Sequence, residues 1–203
     1  MKSQDSISYY QHHAHRLSEE AGRQKTPADV LPFLESLSPK SRVLDLGCGS
    51  GIDLTYMNKA GHTGIGMEAA PKLVEIARLQ NPGIEILHKN FLFLNLKEAE
   101  WDGIWANSSL HHHGAELVQR VIAGCFRGLK PRGVLGLILY EGEESFEDRE
   151  GDLSGPPRYI HPLTEKAICS MLEQTGFKIT RVGRKKATGS DMLPKLLVLA
   201  QKI

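Results

Sequence analysis

The sequence predicts an α/β protein built on a parallel sheet, on three observations. Short apolar runs of strand length alternate with stretches whose apolar residues recur at helical spacing, the pattern that lays helices over parallel strands. The first such run, Val43-Leu-Asp-Leu46, leads directly into glycines at 47, 49 and 51. The chain of 203 residues is long enough for one hydrophobic core without metal or disulfide staples.

Taken in order, Ser6 to Gly22 is polar, rich in histidine and glutamate, and ends at a glycine, which predicts a helix at the domain edge. A second helix is expected after Pro27, with Val30, Leu31, Leu34 and Leu37 at helical spacing and a stop near Pro39. Arg42 to Leu46 reads as a buried strand and Ile52 to Ala60 as the helix after it, closed by Gly61. His62 to Glu68 gives a strand, Pro71 opens a helix that stops at Asn81-Pro82-Gly83, and Ile84 to His88 gives a third short strand. Trp101 to Ala106 and Val134 to Tyr140 are two further strands, separated by a helix with a stripe of Leu117, Val118, Val121, Ile122, Cys125 and Phe126. Glu141 to Pro162 reads as a polar loop. A helix carrying Ile168, Met171 and Leu172 then ends at Gly176, before closing strands over Phe177 to Arg184 and Leu193 to Lys202. The cluster Arg184-Lys185-Lys186 reads as a solvated strand end.

Lysine and arginine total 25 against 24 acidic residues, so no global field draws the chain to nucleic acid or an anionic membrane surface. Cys48, Cys125 and Cys169 are widely spaced and lack paired metal spacing or a secretory leader, which suits reduced thiols in the cytoplasm. The run from Val134 to Tyr140 is too short to cross a bilayer. The expected partner is a small molecule, and the expected state a monomer or homodimer.

In an open parallel sheet, ligands bind beyond the carboxyl ends of the strands at the switch point. That rule selects Asp45 to Gly51, Glu68, Asn90 with Phe91, and Asn107 to His113. Glycine removes the side chains that would block a close approach and tolerates the angles of a sharp turn. The spacing is GxGxG, whereas a dinucleotide fingerprint needs GxGxxG to seat a pyrophosphate.

The string from Val43 to Gly51 resembles the first motif of class I S-adenosylmethionine-dependent methyltransferases. The resemblance implies a Rossmann-like sheet of seven strands, mostly parallel with an antiparallel last strand and helices on both faces. It also implies S-adenosyl-L-methionine as cofactor. Other pieces resemble small bacterial methyltransferases of the tellurite-resistance type: Tyr9-Tyr10 with Ala14, Asp53 after Gly51, Trp101 to Ala106, Ser109-Leu110 with His112, Leu129-Lys130-Pro131 and Arg158-Tyr159. Departures fall around the acceptor pocket, at Leu17, at Lys185 to Thr188 and in the additional His111 and His113, so tellurite is not carried over as substrate. The domain plan is one unit over 1–203, with a helical cap over 1–40 and the core over 41–203.

The expected cofactor contacts are Asp45, Gly47, Cys48, Gly49, Gly51, Asp53, Glu68, Ala69, Asn90, Phe91, Asn107 and Tyr10. Glu68 suits both ribose hydroxyls, and a helix N-terminal charge is its other role. Asn90 stands where many relatives place aspartate on the adenine amino group, and Phe91 suits either the adenine or the core. His111 and His112 are the candidate bases, with capping of the following helix as the alternative. His113, Tyr140, Arg158 and Tyr159 are candidate acceptor contacts. No metal is expected, because three adjacent histidines cannot all face one ion. A nicotinamide-dinucleotide oxidoreductase and a non-catalytic S-adenosylmethionine sensor or subunit are the alternative readings.

Overall fold

The computed structural model describes residues 2–22, 28–149, 154–187 and 193–203. Helices α1 (Lys2–His12), α2 (Ala14–Gly22) and α3 (Leu31–Glu35) precede strand β1 (Arg42–Leu46). Then follow α4 (Ile52–Lys59), β2 (Thr63–Glu68), α5 (Pro71–Gln80), β3 (Ile86–His88) and β4 (Trp101–Asn107). The chain continues through α6 (Ala115–Gly128), β5 (Leu129–Tyr140), β6 (Phe146–Asp148), β7 (Arg158–Ile160), α7 (Glu165–Thr175), β8 (Phe177–Lys185) and β9 (Lys195–Lys202). Seven strands form one sheet in the order β3-β2-β1-β4-β5-β9-β8. The strands from β3 to β5 pair in parallel, while β9 enters antiparallel between β5 and β8. This is the mostly parallel seven-stranded sheet that the sequence led one to expect.

Alternate residues of β1 serve opposite faces, as strand geometry requires. Leu44 and Leu46 join the core that covers α6 and α7, with Ile122, Cys125, Ile168 and Leu172. Val43 joins the other core, with Phe33 of α3, Leu54 and Met57 of α4, Val74 of α5 and Trp105 of β4. The strand order reverses between β1 and β4, so the crevice beyond their carboxyl ends is the place for a ligand.

Three local expectations are corrected. The helix expected over Ser6 to Gly22 is two helices broken at His13, which lets α1 lie against β7 and α5 while α2 follows α5 through a Gln80–Ser18 hydrogen bond. The second helix is short: Pro27 lies outside the described residues, and α3 ends where Ser36 turns its hydroxyl back onto the Phe33 carbonyl at 2.6 Å. The loop over Glu141 to Pro162 contains the antiparallel pair β6–β7. Its three-residue strands are too short to register as alternation, and its residues 150–153 lie outside the described ones. Arg158 bonds Asp148 across the pair at 2.7 Å, with both side chains about nine-tenths buried.

Candidate active site

The turn after β1 is built on three left-handed glycines, Gly47 at φ 74°, Gly49 at φ 55° and Gly51 at φ 83°. The amides of Gly47 and Cys48 both donate to the Met67 carbonyl, which ties the turn to β2. A Cβ at Gly47 would lie 2.6 Å from Cβ of Ser109, and one at Gly51 would collide with the Asn81 amide. At Gly49 a Cβ would meet nothing within 4 Å, so this glycine leaves bare backbone facing open space. That space is a cavity of about 520 Å³ over the carboxyl ends of β1, β2 and β4.

Three carboxylates gather at one end of it. Glu68 accepts from the amides of Gly49 at 3.0 Å, Ala69 at 2.8 Å and Ala70 at 2.8 Å. Burial raises its pKa, and these three donors oppose that rise. Asp53 accepts from the Trp105 indole at 2.7 Å and from the Asn107 amide at 3.0 Å; burial raises its pKa against both bonds. Asp45 is 2 % exposed, and its Oδ2 has no hydrogen-bond partner among the described residues. Burial first, then the charges of Asp53 and Glu68, hold its pKa well above the ordinary carboxylate range. A buried polar group without a partner is costly, and a clustered set of carboxylates favours a cationic guest over a pyrophosphate. The ammonium and sulfonium of S-adenosylmethionine fit this end on charge, and Gly49 fits it on shape.

The other side of the cavity is roofed by α1. Tyr10 and Nε2 of His112 are 2.7 Å apart, and Nδ1 of His112 lies 2.9 Å from the Tyr159 carbonyl. A carbonyl only accepts, so Nδ1 carries the proton and Nε2 accepts from the tyrosine hydroxyl. Burial pushes the His112 pKa down to about 3 and that of His113 to about 4. His113 lines the cavity edge-on to Phe91, with ring centres 5.5 Å apart. Asn90 also lines it, but its side-chain oxygen already accepts from the Leu92 amide at 2.9 Å.

The cavity therefore collects Tyr10, Asp45, Gly47, Cys48, Gly49, Asp53, Glu68, Ala69, Asn90, Phe91, Asn107, His112 and His113. Gly51 stands just behind the lining and shapes the turn. Four expected residues lie elsewhere. His111 is turned away under Tyr140, its Nδ1 accepting from the Tyr140 amide at 3.3 Å, and it is buried where it cannot reach a ligand in this cavity. Tyr140 itself packs against the His111 ring. Arg158 is consumed by Asp148 and stacks over Tyr9, and Tyr159 meets the site through its backbone, its carbonyl on His112 and its amide donating to the Ser6 hydroxyl at 3.4 Å.

Sequence reading missed Ser6 and Ile7 of α1, Ser18 of α2, Asp29 and Lys195 of β9, while Ser108 falls within the selected stretch Asn107 to His113 and Lys185 among the departures around the acceptor pocket. The cap residues carry no motif, and only the fold brings them over the glycine turn. Ser108 does leave a trace in its backbone, at φ 54°, a strained setting for a residue other than glycine.

A family model described as "Methyltransferase domain" matches residues 43–133. An uncharacterized methyltransferase of Synechocystis is 28% identical over 72% of this chain and 71% of its own length. A probable tRNA methyltransferase of Homo sapiens is 29% identical over 79% of this chain, which spans only 33% of that protein. In fold, the chain is similar to 1,6-didemethyltoxoflavin-N1-methyltransferase of Burkholderia thailandensis, a structure with bound S-adenosylhomocysteine. The TM-score is 0.74 and the identity 19%, over 98% of this chain and 88% of that one. With the glycine turn, the carboxylate cluster and the seven-stranded sheet in place, this chain is an S-adenosylmethionine-dependent methyltransferase with S-adenosylmethionine as its cofactor.

Proposed function

We propose that the protein methylates a small-molecule acceptor held between the glycine turn and α1. The observation that carries this reading is the Tyr10–His112 hydrogen bond, which fixes α1 over the mouth of the cavity. An acceptor beneath such a roof must be small. The acidic lining and the near-zero net charge also oppose a polyanionic substrate, although the human relative bears a tRNA methyltransferase name.

S-adenosylmethionine, when bound, supplies an electrophilic methyl group on a sulfonium. In this assignment Asp45 receives the amino-acid ammonium, Glu68 the ribose hydroxyls, Asn90 and Phe91 the adenine, and the Gly49 backbone the nucleoside edge. Asp53 keeps Asn107 in place at the end of β4. The main contribution of the chain to an in-line displacement is alignment in a dry pocket, where proximity accounts for roughly 7–11 kcal/mol.

Both ring nitrogens of His112 are engaged, and its pKa is about 3, so it orients the acceptor side of the site instead of taking a proton. This arrangement favours acceptors that arrive ready to react, such as thiolates and soft chalcogen anions. The free thiols Cys48, Cys125 and Cys169 suit a cytoplasmic setting. The test is S-adenosylhomocysteine formation with a panel of thiols, chalcogen oxyanions, amines and phenols, run beside unmodified tRNA. Turnover with a small acceptor is expected. Turnover with tRNA alone would overturn the reading, and silence throughout would favour the sensor.

A further inference from the structure

Lys185 closes β8 and Lys195 opens β9 at the same cavity. Lys185 and Lys195 are direct cross-strand partners, and both line the cavity wall. Like charges placed opposite each other on a sheet weaken the pairing. Each lysine has a contact of its own, so the feature to weigh is a like-charge pair kept at the wall of a cavity.

The pair also sits at a chosen place. Lys195 pairs in register with Tyr140 at the carboxyl end of β5, and its ammonium lies 5.0 Å from the centre of that ring. Lys185 meets Asp29 at 2.9 Å. The three clustered carboxylates belong to β1, β2 and the start of α4, on the opposite side of β4 in the sheet order. One wall of the cavity is therefore acidic, while the other carries two ammonium groups against the single Asp29 carboxylate that Lys185 meets, with His112 and His113 also in the lining. The neutral histidines add no charge of their own near pH 7.

We infer that Lys185 and Lys195 form an anion subsite, and that the acceptor carries a carboxylate or similar anionic group which these lysines hold. The inference rests on the small-molecule reading above. It goes beyond a solvated strand end, one expectation for Lys185 from sequence, because both residues line the cavity that holds the glycine turn.

The experiment uses the full chain saturated with S-adenosylhomocysteine, titrated in a calorimeter with benzoate, acetate and inorganic phosphate, and with benzamide and acetamide as uncharged counterparts. At least one anion is expected to bind tenfold or more tightly than the amides, with a preference that shrinks as salt is raised. Lys195→Gln and Lys185→Gln should remove the preference, Lys195→Arg should retain it, and affinity for S-adenosylhomocysteine should stay within about twofold. Equal binding of anions and amides, or a preference that survives both glutamine variants, overturns the subsite. A tenfold loss of S-adenosylhomocysteine affinity in the glutamine variants overturns it too, by assigning the lysines to the carboxylate of the cofactor. Failure of the wild-type chain to bind S-adenosylhomocysteine at all would instead strike at the cofactor assignment.

Discussion

Tyr10 of α1 donates its hydroxyl proton to Nε2 of His112, 2.7 Å away, and thereby joins the N-terminal cap to the loop after β4 across 102 positions of sequence. The bond closes the chain Tyr10–His112–Tyr159, since Nδ1 of the same ring is held by the Tyr159 carbonyl. Tyr10→Phe keeps the ring contact and removes the donor, leaving a buried nitrogen unsatisfied at a cost of about 1–3 kcal/mol. Amide exchange in α1 should accelerate while that of β1 and β4 stays slow, and the KM of any small acceptor should rise. Unchanged exchange in α1 would mean that the bond does not hold the roof.

The buried histidines impose a pH dependence whose sign follows from their direction of shift. His112 falls to about 3, His113 to about 4 and His111 well below the ordinary value, in each case mainly by burial. Between those values and about 6.5 the unfolded chain binds protons that the folded chain refuses, so stability rises with pH through this window and is lost on acidification. Each histidine contributes a slope of up to about 1.4 kcal/mol per pH unit. Asp45, Asp53 and Glu68 act in the opposite sense, because their raised values let the folded state hold protons above the unfolded carboxylate range, Asp45 most of all, and so they oppose part of the histidine effect. Urea denaturation should therefore give a lower midpoint at pH 5 than at pH 7, and His113→Gln should narrow the gap. Equal midpoints in the wild-type chain would contradict the buried, neutral state of these rings.

Two of the glycines separate folding from binding. Gly47→Ala places a Cβ 2.6 Å from Ser109, whose hydroxyl is anchored on the Leu46 carbonyl at 2.7 Å, so the substituted turn must move as well as bear the left-handed penalty of about 1–2 kcal/mol. Gly49→Ala bears only that penalty, because its Cβ enters open space. The space is the proposed nucleoside site. The thermal midpoint should fall further for Gly47→Ala, while Gly49→Ala should lose at least tenfold in S-adenosylhomocysteine affinity relative to its loss of stability. Tight binding by Gly49→Ala would exclude the bare backbone from the contact.

The difference between these glycines also shows what a sequence can carry. The strand and turn from Val43 to Gly51 were legible because a continuous apolar run and left-handed geometry are local properties, written in the residue types that must adopt them. Glu68 and Asn107 were legible by their place at strand ends. The cap was legible only at Tyr10: Ile7 and Ser18 meet the turn only through the packing of α1 and α2 on α5, which depends on contacts some sixty residues away in the chain. His111 shows the converse. Its residue type and neighbours resemble those of His112, but successive positions in the short turn from Leu110 to His112 point in different directions, and one ring goes to the β5 backbone. Lys185 was legible as a charge among the departures around the acceptor pocket, and its pairing with Lys195 emerged only when β8 and β9 brought the two together.

Asp45 gives a proton-linked signature of cofactor binding. Its carboxyl is buried, lies beside two other acids and has one oxygen without a partner among the described residues, and its pKa is raised for those reasons, burial first. An ammonium placed against it would favour the ionised form and draw the pKa back down. Binding of S-adenosylmethionine should thus release a proton, and affinity should increase with pH until Asp45 is ionised in the free protein. Calorimetry at one pH in two buffers of different ionisation enthalpy measures that proton directly. Asp45→Asn keeps the shape, removes the titration and should weaken binding by about ten- to a hundredfold, the range for one charged hydrogen bond. If the wild-type chain releases no proton and Asp45→Asn binds as tightly, the ammonium does not lie against this carboxyl and the orientation assigned to the cofactor is wrong.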